Sequence, residues 1–63
     1  MRDVNRINEI MELLGKGWQK VPQWRFGQLI ENFKRYVGVS DLFYVEDDVL
    51  KQKIIEFFEL HEE

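Results

Sequence analysis

The chain has no cysteine, no threonine, one serine, one proline and one histidine among its 63 residues. Each scarcity removes a class of function. Without cysteine there is no disulfide to brace a small core and no thiolate to hold a metal. The lone His61 cannot build a zinc site by itself. Nucleophile chemistry is left with Ser40, which a Ser-His-acid set would have to bring beside a histidine at the far end of the chain. Paired carboxylates are available, but a bundle this small is expected to offer no cleft of the usual ~300–1,000 Å³. The expectation is no enzyme activity, no cofactor and no metal. Apolar runs are only a few residues long, so nothing reads as a membrane span. No apolar stretch follows Met1–Arg6, so no signal peptide is read there, and a cytoplasmic protein is expected.

Aromatic bulk is what the chain does have. Five Phe, two Tyr and two Trp are present, and each large ring can bury ~150–250 Å². A single domain spanning residues 1–63 rarely draws more than ~3–5 kcal/mol from its core alone. Stability must come from helix packing and aromatic bulk, helped by self-association. The net charge of −3 is unevenly spread. Residues 1–38 carry seven basic against four acidic side chains, a net +3, and residues 39–63 carry two against eight, a net −6. Either the two ends pack together and partly cancel, or they present a bipolar surface to a partner.

Hydrophobic spacing predicts three helices. Val4, Ile7, Met11, Leu14 and Trp18 recur at three and four, widened by Ile10 and Leu13, giving a helix over about 3–20. Asp3 suits its N-cap or first turn. Pro22 disfavours helical geometry at Val21 and fixes the stop. A turn over Val21–Trp24 leads to a second helix over about 25–37, with Phe26, Leu29, Ile30, Phe33, Tyr36 and Val37 as its stripe. Trp24 is placed to staple against Leu29. Gly27, inside this helix, reads as a point of close approach to helix one. Gly38 is a natural stop. Glu12 with Lys16 and Glu31 with Arg35 have the spacing of helical ion pairs.

The connection over 39–45 has no second strand to pair with, so it reads as a buried loop with Phe43 plugging the end of the bundle. Helix three follows over about 46–60, with Glu46 as cap and Val45 and Leu50 as staple. Leu50, Ile54, Phe57 and Phe58 form its stripe, and the tail 61–63 is expected to fray. The fold class is therefore an all-α three-helix bundle. Trp18, Phe26, Leu29, Phe33, Phe43, Leu50, Ile54 and Phe57 are the expected core.

Arg25-Phe26-Gly27-Gln28-Leu29 and Phe43-Tyr44-Val45-Glu46-Asp47-Asp48, with Arg6-Ile7 and Trp18 ahead of them, resemble a family of small bacterial and prophage-borne proteins of unknown function. The pattern is an R-x-G-Q-L helix start followed by an F-Y-x-E-D-D segment, and it covers most of the chain. The resemblance implies a cytoplasmic helical protein of phage origin and carries over no catalytic or ligand-binding residue. Trp24 and Phe26 stand where similar proteins are expected to hold smaller apolar residues, which suggests core positions for both.

Two surfaces are candidates for binding. Asp41, Glu46, Asp47 and Asp48 form a dense carboxylate group. Its consecutive acids, with no glycine turn among them, do not match a calcium loop, and acids in a first helical turn also serve the helix dipole. Lys16, Lys20 and Arg25 flank the two tryptophans, with Lys34 and Arg35 further on. Basic residues among aromatics suit single-stranded nucleic acid, but an acidic third helix and a pI near 5.1 speak against it. The leading expectation is a non-enzymatic helical module that binds a protein partner or itself. Nucleic-acid binding through the basic set is the alternative, and no membrane role is read.

Overall fold

The apolar spacing resolves into three helices in the computed structural model, which describes residues 3–61. They are α1 (Asn5–Trp18), α2 (Phe26–Val37) and α3 (Asp47–Glu59), a small all-α three-helix bundle. Local chemistry sets their ends. Asp3 Oδ1 accepts the Asn5 N–H at 2.9 Å, satisfying a donor that the first turn leaves open. α1 stops at Trp18, where its apolar stripe ends and two residues short of the expected bound near 20. The Lys20 N–H donates to the Gly17 carbonyl at 3.0 Å and the Val21 N–H to that of Trp18 at 2.9 Å, which turns the chain ahead of Pro22.

At the start of α2, Gln28 Oε1 accepts the Arg25 N–H at 2.8 Å, the returning half of a capping box. Gly38 ends that helix at φ +86°, and the N–H groups of Gly38 and Val39 both donate to the Lys34 carbonyl. Glu46 occupies the N-cap of α3 as expected, yet its carboxylate makes no capping hydrogen bond. Asp47 and Asp48 supply the negative charge in the first turn.

The core is built on α3. Ile54, Phe57 and Phe58 are buried together with Leu29 and Phe33 of α2 and Val21 of the turn. Ile10, Leu13, Leu14 and Trp18 of α1 pack against this set while only half-buried. Phe57 is the hub of the ring contacts, meeting Phe33 at 5.5 Å, Tyr36 at 5.6 Å and Phe58 at 5.0 Å between centroids. α1 lies close on α3 because Gly17 is buried against Phe58, and a Cβ at that position would overlap the ring.

Several expectations are corrected here. Gly27 is exposed with open space around it, so the close approach belongs to Gly17. Phe26 is 51% exposed, because Trp24 fills the space beside Phe57 and leaves Phe26 to lie against the Trp18 ring. Trp24 accordingly packs on Phe57 of α3 and on His61. The loop over 39–45 is mostly exposed. Phe43 stands outside it, and Leu42 turns inward against the core in its place. Trp18 and Leu50 are half-buried where enclosure was expected. His61 does not fray: it is half-buried and edge-on to Phe57 at 4.8 Å and Trp24 at 5.1 Å. The rest of the expected frayed tail, residues 62–63, lies outside the described residues.

Polar ties join the helices across their rims. Trp18 Nε1 donates to the Trp24 carbonyl at 2.8 Å, fastening the turn to the end of α1. Arg6 Nε lies 2.6 Å from Asp47 Oδ2, and Lys51 Nζ lies 2.7 Å from Glu9 Oε2, both between α1 and α3. The hydrogen bond to Glu9 is the main reason that the Lys51 ammonium holds its proton more firmly than usual. Tyr36 Oη donates to Glu56 Oε1 at 3.1 Å, between α2 and α3. Desolvation first, and then that bond, raise the Tyr36 phenol above its ordinary value. Hydrogen bonds from Gln52 and then Tyr36 lower the Glu56 carboxyl.

Two predictions follow from this packing. Gly17→Ala will cost about 1–3 kcal/mol, the usual penalty of overpacking, which is enough to threaten the domain. Gly27→Ala will be neutral or gain up to about 0.5 kcal/mol from helix propensity. Urea denaturation of the two variants checks the contrast, and equal behaviour would remove the close approach from the account. The second prediction concerns pH. Tyr36 holds its proton more firmly folded than unfolded, so its contribution is complete below the unfolded tyrosine value and drains as pH rises through the raised one. Glu56 behaves oppositely: its contribution is complete above the unfolded glutamate value and drains as pH falls through the lowered one. In Tyr36→Phe, denaturation midpoints will decline less steeply at both alkaline and acid ends than in the wild type. Identical slopes would show that the bond contributes nothing.

Candidate interaction surfaces

The connection between α2 and α3 carries the expected acidic residues. Asp41 Oδ1 accepts the Phe43 N–H at 3.0 Å, an Asx turn that redirects the chain. The Val45 N–H then donates to the Leu42 carbonyl at 3.1 Å. Between these two bonds Phe43 and Tyr44 project into solvent, 84% and 85% exposed. Their rings stack edge to face at 4.9 Å. Asp41, Glu46 and Asp48 are exposed on either side of the pair in sequence, and Asp48 Oδ1 accepts the Val49 N–H at 2.9 Å.

Asp47 differs from the other three. Its carboxylate is partly buried and tied to Arg6, which makes it a strut between helices. Sequence reasoning missed the aromatic pair by assigning Phe43 to the core. The available signal was Asp41, whose place two residues before Phe43 suits an Asx turn. Among the described residues, no group of three or more His, Cys, Asp or Glu side chains is placed to hold a metal ion.

Three of the five expected basic residues line two separate hollows. Lys16 and Lys20 line a groove of about 240 Å³ between α1 and α3, shared with Ile55, Phe58 and the acid Glu59. Arg35 lines a separate depression of about 580 Å³ along α2, with Trp24, Gln28, Glu31 and Asn32. It is an open depression on the surface of the helix. Lys34 Nζ lies 2.9 Å from Glu31 Oε2, so Glu31 pairs one residue short of the expected Arg35. Arg25 is exposed at the start of α2. A strand of nucleic acid following these cations would meet Glu59 in one hollow and Glu31 in the other.

α1 presents a third surface. Val4, Ile7 and Met11 are 70%, 53% and 56% exposed. Further along the helix, Gly15, Trp18, Gln19 and Pro22 line a hollow of about 360 Å³. No helix among the described residues is long and apolar enough to cross a membrane.

No protein-family profile, curated protein or solved structure matches this chain.

The acids make separable contributions to the fold, and substitution will show it. Asp47→Asn will destabilise by up to about 1 kcal/mol, the upper range for a partly exposed ion pair. Asp41→Asn and Asp48→Asn will each cost less. A double-mutant cycle with Arg6→Gln checks the assignment, because a coupling near zero would remove Asp47 from its structural role.

Proposed function

We propose that this protein is a small non-enzymatic helical interaction module whose partner-binding surface is the Phe43–Tyr44 pair with Asp41, Glu46 and Asp48 around it. One observation carries the reading: two adjacent aromatic rings stand almost fully in solvent on a chain that packs its other rings against one another. Burying such a ring in a partner returns about 1.5–3 kcal/mol, and tyrosine is a frequent anchor at the centre of protein interfaces. The neighbouring carboxylates select the partner's chemistry. They favour a surface with an apolar pocket ringed by lysine or arginine, and they accelerate encounter at low salt.

The same charges repel phosphate, and the separation of Lys16 and Lys20 from Arg35 in two acid-containing hollows leaves nucleic acid the less supported alternative. The reading places the protein in the cytoplasm, in keeping with a chain that has no cysteine. The phage-borne origin belongs to the same proposal and rests only on the resemblance carried by Arg6-Ile7, Trp18 and the Arg25–Leu29 and Phe43–Asp48 segments.

The test compares capture from host lysate by the wild type and by a variant carrying both Phe43→Ser and Tyr44→Ser. The substitutions are at exposed positions and will change stability by no more than about 0.5 kcal/mol. The wild type will retain a basic protein that the variant loses, and the interaction will weaken as salt rises. Equal capture by both proteins would refute the aromatic surface. Retention of nucleic acid with a steep salt dependence would favour the basic set instead.

A further inference from the structure

The connection between α2 and α3 is tied down at several points along a mostly exposed path. At its start, Gly38 turns the chain at φ +86°, and the Gly38 and Val39 N–H groups both close on the Lys34 carbonyl. At its end, the Leu50 N–H donates to the Glu46 carbonyl at 2.9 Å and opens α3. Between these ends Leu42 packs against the core, and the Val45 N–H donates to the Leu42 carbonyl. The Asp41 carboxylate supplies a further tie, accepting the Phe43 N–H at 3.0 Å. Phe43 and Tyr44 lie inside this frame, almost fully exposed, with their rings edge to face at 4.9 Å. Side chains this exposed take no direction from core packing. Their direction is set by the backbone beneath them and by each other.

We propose that Asp41 is a positioning residue, whose carboxylate oxygen holds the Phe43–Tyr44 pair in the conformation that a partner meets. Resting on the reading of that pair as the partner surface, this role sets Asp41 apart from the other acids. Asp41 acts through the shape of the turn. Asp48 lies beyond the pair, in the first turn of α3, and its carboxylate accepts the N–H of its own neighbour Val49. It has no part in the turn that presents the rings, and contributes charge.

Position 41 lets substitution separate shape from charge. An Asx turn needs a side-chain oxygen on the γ-carbon, two residues before the N–H that it captures. Asparagine carries the same acceptor without the charge. Glutamate carries the charge one methylene further out, which enlarges the hydrogen-bonded ring and loosens the turn. Leu42 anchors the same turn from inside, but replacing it would also open the core. The consequence of a closed turn is preorganisation. Rings that a partner encloses lose rotamer freedom, and a mobile loop must be ordered as well. A turn already closed by Asp41 removes part of that loss before encounter, and it presents the two rings as one unit.

Backbone amide relaxation of the full chain tests the role without any partner, in wild type, Asp41→Asn, Asp41→Ala and Asp41→Glu. In wild type and Asp41→Asn, the Phe43 and Tyr44 amides will show order parameters of about 0.85, and in Asp41→Ala and Asp41→Glu they will fall below about 0.6. Cross-peaks between the two rings will weaken in the same two variants. Helical circular dichroism will be unchanged throughout, since Asp41 is exposed and outside the helices. Capture from host lysate is the second readout. Asp41→Asn will retain the basic protein nearly as well as the wild type does. Asp41→Ala and Asp41→Glu will each retain about three- to tenfold less, the cost of ordering the loop and its rings on binding. Equal order parameters in all four proteins would overturn the positioning role. So would capture that follows charge, with Asp41→Glu matching the wild type and Asp41→Asn failing. A wild type that captures nothing would refute the partner surface itself, and the relaxation contrast would still decide whether Asp41 holds the pair.

Discussion

The contact of Gly17 with the Phe58 ring sets the distance between α1 and α3, and much of the fold depends on that distance. With no side chain at Gly17, the helix backbone comes down onto the ring and holds it over the core. Phe58 then supports Phe57, which in turn meets Phe33, Tyr36, Trp24 and His61. Both rim ion pairs between α1 and α3 need the same spacing, since Arg6 and Glu9 reach Asp47 and Lys51 at 2.6 and 2.7 Å. A chain without cysteine has few other ways to fix a helix pair. It uses one missing side chain and one large ring.

The Trp18–Trp24 corner answers a second constraint. The turn between α1 and α2 must bring a stiff proline-containing segment back onto the core, and Val21 is buried within it. The indole N–H of Trp18 reaches across six residues to the Trp24 carbonyl, satisfying a polar group that the turn leaves without a helical partner. Trp24 can then lie on Phe57 and His61. His61 completes the ring cluster, and its buried Nε2 meets no hydrogen-bond partner among the described residues.

Helices were legible in the sequence because their signals are local. The stripes at three and four, the proline stop and the glycine C-cap each act within a few residues, and the observed ends differ from the expected ones by no more than two. Which apolar residues are inside was less legible, because that depends on the partner element. Phe26 and Trp24 compete for one space beside α3, and nothing local decides between two aromatics two residues apart. Gly17 and Gly27 look alike as helical glycines, and only the position of Phe58 separates them. Phe43 was misplaced because a run of four apolar residues invites burial, while the Asx turn at Asp41 needs only one of them, Leu42, to face inward. The candidate acids were visible as a cluster, but the distinct role of Asp47 depends on Arg6, forty-one residues away.

The surplus of apolar residues on α1 has a physical origin in the size of the domain. A helix in a larger protein can be covered on two sides by neighbours, but here α2 and α3 are both short and α3 takes the central place. α1 meets α3 along one flank and reaches α2 mainly through Trp18 and its ring contact with Phe26. The flank bearing Ile7 and Met11 is therefore left uncovered by geometry, although a helix serving this core alone would place polar residues there. Keeping it apolar and free of charge costs solubility, and nothing inside the bundle repays that cost. Acids are densest at the α2–α3 connection and on α3, while Asp3 and Glu12 border the open flank of α1. One chain thus separates an apolar helical face from an acidic aromatic loop that share no residue.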